Sequence, residues 1–211
     1  MTPNSNTTAN HDQDNQSQVT SAEVENLTIK ELWKLLENWY KEHCPEAYEV
    51  LRPPITTEEL QELETELGVK LPEDYKESLL VHNGTDYREF SLINLHNYLG
   101  HKNVLDEWKF HLSMLEHFGI DKEVENDFSE IKNVWWAPKW IPFTEDGAGQ
   151  HYFIDLDPTD KGTVGQLGSF DHEVGIDMLL GKSFHEFFSN YVRDIYDGKY
   201  SALDGGLFDN I

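Results

Sequence analysis

The chain has 211 residues, of which 38% are apolar and 12% aromatic, enough to bury one substantial core and to form one domain rather than two. The 16 Lys and Arg residues face 40 Asp and Glu residues, and the formal net charge of −24 excludes duplex nucleic acid and anionic membrane surfaces as favoured partners. A basic protein partner is expected instead, because such a field attracts cationic surfaces.

Residues 1–26 are rich in Asn, Gln, Ser, Thr and Asp and contain no Lys or Arg. This composition predicts a disordered polar tail followed by a single domain over residues 27–211. The tail lacks the basic and apolar regions of a signal peptide, and no apolar run approaches the roughly 20 residues of a membrane helix. Cys44 is the only cysteine, so no intrachain disulfide can form. A cytoplasmic location without membrane attachment is the expectation.

The first half of the domain predicts four amphipathic helices. Thr28 with Glu31, and Thr56 with Glu59, have the spacing of capping boxes at the starts of the first two helices. Apolar residues then recur at three- and four-residue intervals, and glycines or an Asn-Gly pair mark the helix ends. The predicted ranges are 28–43, 56–68, 72–84 and 103–119.

The second half predicts antiparallel strands closed by a helix. One or two short strands are expected around residues 90–95, and β-prone runs over 140–143, 151–155 and 163–170 alternate with Gly, Pro and Asp turns. Ser183 with Glu186 forms a further capping box, which opens an aromatic-rich helix ending near Gly198. The predicted fold is therefore α+β, with N-terminal helices, a small antiparallel meander sheet and a C-terminal helix.

One motif suggests phosphoryl transfer. Asp155, Asp157 and Thr159 form a D-x-D-x-T string after a strand, which matches the nucleophile and acid/base pair of haloacid dehalogenase-type phosphotransferases. That fold needs a doubly wound parallel sheet, yet only 52 residues follow Thr159, and they predict strands and one helix. The interpretation as a turn after a strand is therefore favoured.

Metal motifs are incomplete. An EF-hand loop counted from Asp155 has Asp160 where Gly is needed and Gln166 where Glu is needed. The ten histidines show no H-x-x-x-H spacing and are expected at the surface or half buried. At least two of Trp135, Trp136 and Trp140 are expected in the core. No catalytic residue, metal or cofactor is predicted, and the protein is expected not to be an enzyme.

Two long segments together resemble the SUKH superfamily, which includes fungal cell-wall-assembly and killer-toxin-resistance regulators and bacterial immunity proteins. They read LRPPITTEELQELETELGVKLPEDYKESLLVHNG and WWAPKWIPFTEDGAGQHYFIDLDPTDKGTVGQL. The resemblance covers about residues 28–203 and implies an α+β fold without a catalytic role. It also implies a set of fold-defining positions: Trp140, Pro142, Gly147, Gly149, Asp155, Gly162, Gly165 and Gln166.

The leading functional hypothesis is a non-catalytic protein-binding domain, a toxin-neutralising immunity protein whose acidic face meets a basic toxin domain. The alternatives are a scaffold or regulator of cell-wall assembly signalling, and a phosphotransferase that uses Asp155 and Asp157. The oligomeric state stays open. The candidate partner-binding residues lie in and beside the loops of the meander: Asp146, His151, Asp157, Asp160, Asp171, His172 and Glu173.

Overall fold

A computed structural model describes residues 24–86, 90–118, 127–203 and 205–210. Six helices and eight strands lie in these ranges. The helices are α1 (Ile29–His43), α2 (Pro45–Glu49), α3 (Thr57–Leu67), α4 (Glu73–Leu79), α5 (His101–Phe118) and α6 (Phe184–Tyr196). The strands are β1 (Asn97–Tyr98), β2 (Trp140–Pro142), β3 (Thr144–Glu145), β4 (Gln150–Asp155), β5 (Gln166–Asp171), β6 (Gly175–Gly181), β7 (Tyr200–Leu203) and β8 (Gly206–Asp209). The predicted α+β class is confirmed.

The first two capping boxes form as predicted. The Thr28 and Thr56 hydroxyls accept from the amides of Glu31 and Glu59, and each Glu carboxylate accepts from the amide of its threonine. Helix α3 ends where Gly68 adopts a left-handed conformation with φ +67°. These boundaries are set locally, because each cap involves residues only three positions apart.

The prediction for the third helix is wrong at its C-terminal end, because α4 stops at Leu79 instead of Asn83-Gly84. The residues that follow leave the helix to pair with the segment before α3: the Asn83 amide donates to the Pro53 carbonyl, and the Arg52 amide donates to the Gly84 carbonyl. The Asn83 side chain then accepts from the His101 amide at 2.8 Å. This long-range bond lets α5 begin two residues before its predicted start.

The central sheet is antiparallel, with strand order β2-β4-β5-β6. Cross-strand neighbours include His151 with Phe170 and Asp155 with Gln166. Strand β5 starts at Gln166, three residues later than predicted, because the chain from 163 to 165 is still turning. Strands β1 and β3 pair separately, as do β7 and β8. The sequence did not predict α2, β3, β6 or the β7–β8 hairpin. Residues 90–95, where one or two short strands were expected, contain only isolated bridges at Ser91 and Ile93, and the short strand β1 follows at 97–98.

Both faces of the sheet are covered. One face, with Ile141 and Ile154, packs into the main core against α1, α4 and α6. The opposite face carries a second cluster that contains Trp140, Phe153 and Phe170 and is covered by Trp136 and by Leu115 of α5. A sheet buried on both faces does not show the alternation of apolar and polar residues that a half-exposed strand shows. Four of the six residues of β4 are therefore buried, and Gln150 and Tyr152 are half-buried.

Val24 is 1% exposed and packs in the main core, although the polar tail was predicted to reach residue 26. The rest of that prediction, over residues 1–23, lies outside the described residues. None of the helices in the described ranges combines the length and apolar character needed to cross a membrane.

Candidate functional site

Six of the seven predicted partner-binding residues divide between the two ends of the central sheet, and the seventh, His151, lies within β4. At one end, residues 146–149 connect β3 to β4 and residues 172–174 connect β5 to β6; we call these loops, together with Asp171 at the end of β5, the paired turns. At the other end, residues 156–165 connect β4 to β5. The six residues of β4 span about 17 Å at roughly 3.3 Å per residue, so the two ends are separate surfaces.

The paired turns bring Asp146, Asp171, His172 and Glu173 together. The Asp146 carboxylate accepts from the amides of Ala148 and Gln150, at 2.7 and 2.9 Å. The Asp171 Oδ1 atom likewise accepts from the Glu173 amide at 2.7 Å. Each aspartate therefore lies at the start of its turn and stabilises that turn through its own carboxylate.

Two contacts join the turns to each other. The Gln150 side-chain amide donates to the Asp171 Oδ2 atom at 2.8 Å. Gly149 has φ +103°, and a Cβ atom there would lie only 2.5 Å from Nδ1 of His172. The imidazole thus occupies the space that a side chain at position 149 would need, which gives a reason for the glycine beyond turn geometry.

Charge at the paired turns is not compensated by basic side chains. Burial alone would raise the pKa of Asp171, but the Glu173 amide, the Gln150 side chain and the Val174 amide lower it below its usual value. Within the described ranges, Asp146, Asp171 and Glu173 form no ion pair with Lys or Arg, and Glu173 meets only His172, at 3.9 Å. Among the described residues, these carboxylates are therefore left without a Lys or Arg partner, and Glu173 is exposed to solvent.

The opposite end of the sheet holds a different arrangement. The Asp157 carboxylate pairs with Lys132 Nζ at 2.6 Å, and this bond lowers the pKa of Asp157. Asp160 is exposed on the same loop. Asp157 is therefore already engaged within the chain, which leaves Asp160 as the freer of the two candidate contacts.

Asp155 and Gln166 form a buried polar pair beneath this loop. Asp155 is fully buried; its Oδ1 atom accepts from the Asp157 amide at 2.9 Å, and its Oδ2 atom accepts from the Gln166 side chain at 3.1 Å. Gln166 also donates to the Glu130 carbonyl and accepts from the Thr163 amide. Burial raises the pKa of Asp155. An enclosed carboxylate on an antiparallel sheet does not resemble the exposed nucleophile of a phosphotransferase.

The other fold-defining candidates lie at strands and reversals of this sheet. Trp140 and Pro142 are buried in β2, whereas Gly147 and Gly165 lie in turns with positive φ. At Gly162 a Cβ atom would lie 2.5 Å from the Glu130 carbonyl oxygen, so the loop packs against residue 130 there. Their importance relative to other residues of the fold stays a prediction.

His151 was expected beside an exposed loop, and this expectation is wrong. It lies in β4 and is 4% exposed, because α5 and the segment around Trp136 cover its face of the sheet. Two more histidines, His96 and His111, are buried at 3% and 2% exposure, which also corrects the expectation of surface or half-buried histidines. Trp136 and Trp140 are both in the core, as predicted.

Sequence reasoning missed a second cluster of polar side chains on this buried face. Glu107 and His111 of α5 meet His151, and one ligand atom from each residue lies within 4.8 Å of the other two. The only local signal is the four-residue spacing of Glu107 and His111, which places both on one side of a helix. His151 follows 40 residues later, so its approach depends on how α5 packs on the sheet.

Comparisons with known proteins agree with this fold. The family described as SMI1/KNR4 (SUKH-1) matches residues 54–190. The glucan synthesis regulatory protein of Neurospora crassa is 22% identical over 204 residues, which cover 80% of this chain and 38% of that protein. The cell wall assembly regulator SMI1 of Saccharomyces cerevisiae is 23% identical over 208 residues, and the match covers 82% of this chain and 41% of that protein.

The cell wall biosynthesis/cell cycle regulator smi1 of Schizosaccharomyces pombe is 25% identical over 186 residues, covering 82% of this chain and 37% of that protein. The chain thus spans about two fifths of the length of these curated relatives. The family match includes α3, α4, α5, the central sheet and the first half of α6. The resemblance seen in the two sequence segments is confirmed, and this chain belongs to the SMI1/KNR4 (SUKH-1) family.

Proposed function

We propose that this chain is a non-catalytic, protein-binding domain that regulates cell wall assembly. The observation that carries the proposal is the family match over residues 54–190, together with fungal relatives that are named as regulators of glucan synthesis and of cell wall assembly. In this proposal the domain acts by binding other proteins, so its functional site is a surface and not a cleft with catalytic groups.

The absence of a catalytic role is supported by the state of the most suggestive carboxylates. Asp155 is enclosed and hydrogen-bonded, and Asp157 is paired with Lys132. To attack a bound phosphate as a nucleophile Asp155 would have to break these contacts, and Asp157 would have to leave Lys132 to act as the acid/base. Purified protein is expected to hydrolyse no p-nitrophenyl phosphate, and hydrolysis that disappears in an Asp155→Asn variant would overturn this part of the proposal.

The paired turns are the proposed partner-binding surface. Asp146, Asp171 and Glu173 place three carboxylates at one end of the sheet, and the hydrogen bonds within the turns hold two of them in fixed positions. A fixed anionic surface whose carboxylates pair with no Lys or Arg of the described ranges favours a basic partner and accelerates its encounter at low salt. The cost of ordering the binding residues is also small, because the turns are already formed.

A domain exchange tests the regulatory role. The region of the Saccharomyces cerevisiae relative that aligns with this chain would be replaced by this chain, in cells lacking their own copy of that regulator. The expected result is recovery of wall glucan content relative to cells with an empty vector. A chimera that accumulates as folded protein but leaves the glucan content unchanged would contradict the proposal, and a chimera carrying the native domain serves as the positive control.

Toxin neutralisation, the leading hypothesis from the sequence, stays a prediction. Its support is the net charge of −24, which suits a basic toxin domain as well as a basic regulatory partner. Native purification of the full chain from its own cells separates the two roles. Copurifying enzymes or signalling proteins of wall synthesis favour regulation, whereas a stoichiometric nuclease or other toxin domain favours immunity.

A further inference from the structure

Glu107, His111 and His151 lie together on the covered face of the sheet, away from the paired turns. Glu107 and His111 are one helical turn apart on α5, and His151 approaches from β4. The His151 Nε2 atom lies 3.9 Å from a carboxylate oxygen of Glu107. The two imidazole rings meet edge to face, with their centroids 4.6 Å apart.

The backbone fixes the orientation of both imidazole rings. Nδ1 of His111 lies 2.9 Å from the Glu107 carbonyl oxygen, and Nδ1 of His151 lies 3.0 Å from the Thr144 carbonyl oxygen. A carbonyl oxygen can only accept a hydrogen bond, so Nδ1 carries the proton in both rings. In a neutral ring Nε2 then keeps a lone pair that can bind a metal ion. In histidines that bind metals through one ring nitrogen, the other ring nitrogen commonly donates a hydrogen bond to a carbonyl oxygen, as Nδ1 does here.

The surroundings of both rings are apolar and tightly packed. His111 and His151 are 2% and 4% exposed. Trp136 stacks on His111 with ring centroids 3.9 Å apart, and Phe170 meets the same imidazole edge to face. The result is two nitrogen donors held in an apolar wall, with a carboxylate beside them.

We propose that Glu107, His111 and His151 form a binding site for one divalent transition-metal ion, with zinc as the ion that fits best. Two imidazole nitrogens and one carboxylate are a ligand set that zinc accepts, with a water molecule as fourth ligand. Calcium and magnesium prefer all-oxygen sites, so they are poor competitors here. The inference is independent of the proposed regulatory function.

The distances fit a site that closes on its metal. Zinc–nitrogen bonds of about 2.0–2.1 Å place tetrahedral ligand atoms about 3.4 Å apart. The ligand atoms here are separated by up to 4.8 Å, so they must approach by about an ångström or slightly more. Glu107 can supply part of this movement, because its side chain is long and 23% exposed. The same exposure gives the ion a path from solvent.

Titration calorimetry with zinc tests the site, using the full chain without a histidine tag, in buffered sodium chloride with millimolar calcium to occupy weak acidic sites. The expected result is one zinc ion per chain, with an affinity at least about tenfold weaker in a Glu107→Gln or His111→Gln variant. Glu116→Gln on the same helix and His43→Gln at the surface are matched controls and are expected to bind as the wild type does. Equal affinity in the Glu107→Gln variant and the wild type, or no binding that persists in calcium, would overturn the proposal.

A second measurement uses the wild-type chain alone and does not depend on how variants fold. Nitrogen-15 spectra of labelled histidine are expected to show two Nε2 resonances shifting when one equivalent of zinc is added, while the Nδ1 resonances keep their protonated character. These two resonances belong to His111 and His151. If neither ring responds, or if only exposed histidines respond, the zinc lies elsewhere and the proposal is wrong.

Discussion

The indole ring of Trp136 stacks on the imidazole ring of His111, with ring centroids 3.9 Å apart and an angle of 25° between the planes. This contact joins the segment before β2 to helix α5. It also explains why the second face of the sheet is closed, because Trp136 meets Phe153 and Phe170 on that face as well. The stability of this part of the molecule therefore depends on one side chain.

Replacing that side chain should destabilise the fold strongly. A Trp136→Ala variant is expected to lose about 3–5 kcal/mol of unfolding free energy, because the indole is 1% exposed and its removal leaves a cavity. Urea unfolding followed by circular dichroism measures the loss. The neighbouring Trp135 is only half-buried, so Trp135→Ala is the control and should cost clearly less. Equal losses in the two variants would contradict the role given to Trp136.

Gly149 should tolerate a side chain poorly. A Gly149→Ala variant is expected to lose about 1–3 kcal/mol, because φ is +103° and the new Cβ atom would meet the His172 ring. Gly198 also has a positive φ, of +72°, but has open space around it, so Gly198→Ala should cost less. Adding His172→Ala to Gly149→Ala removes the clash and should restore part of the loss. No recovery in this double variant would show that backbone strain alone is responsible.

Glu64 should make stability depend on pH. It is 7% exposed, bonds to Lys70 at 2.6 Å and accepts from the Leu71 amide at 3.0 Å. Burial alone would raise its pKa, but the Lys70 bond, the Leu71 amide and the charge of Lys76 lower the pKa below the usual value of 4.5. A lowered pKa in the folded state stabilises the fold above pH 4.5, and this stabilisation is lost as the pH falls through the lowered value.

Unfolding free energies between pH 7 and pH 3 test this expectation. A Glu64→Gln variant should be less stable than the wild type by about 1–3 kcal/mol at pH 7, because charged hydrogen bonds are lost. The difference should shrink at the acid end, where the wild-type carboxylate is protonated. Glu77→Gln, at an exposed position of α4, is the control. A difference that stays constant over the whole range would contradict the assignment.

The proposed partner-binding surface makes a prediction about charge reversal. Glu173→Lys should slow association with the partner that the wild-type chain captures, by about tenfold or more at low salt, and the effect should fade as salt is added. Asp160→Lys makes the same change in charge at the opposite end of the sheet and should have a smaller effect. Surface plasmon resonance gives both rates. A larger effect at Asp160 would place the binding surface at the other end.

Much of the fold could be predicted because its signals are local. The capping boxes at Thr28 and Thr56 join residues three apart, so the starts of α1 and α3 were found correctly. At Ser183 the prediction was half right: the hydroxyl accepts from the Glu186 amide, but the Glu186 carboxylate accepts from the Lys182 amide. The end of α4 was missed, because it depends on pairing with residues 52 and 53.

The candidate sites divide in the same way. Asp146 and Asp171 were correctly placed at reversals, since an acid followed by glycines or a polar turn favours such a loop. Asp146 and Asp157 are both candidate partner-binding residues, and the sequence did not show that they lie at opposite ends of strand β4. The sequence contained no sign that Lys132 pairs with Asp157, as the two residues are 25 positions apart.

Composition and patterns within short segments were enough to predict the charge of the molecule, its α+β class, the starts of α1, α3 and α6, and the family. The neighbouring positions of His111 and His151 in an apolar wall became apparent only from the packing of the folded chain. Their separation of 40 residues makes the contact a consequence of how α5 packs on the sheet. The alternation of side chains along a strand shows which residues share a face, but it cannot show whether the second face is exposed to water or covered by a helix. In β4 the second face is covered, so His151 is buried beside α5 and does not lie at the surface.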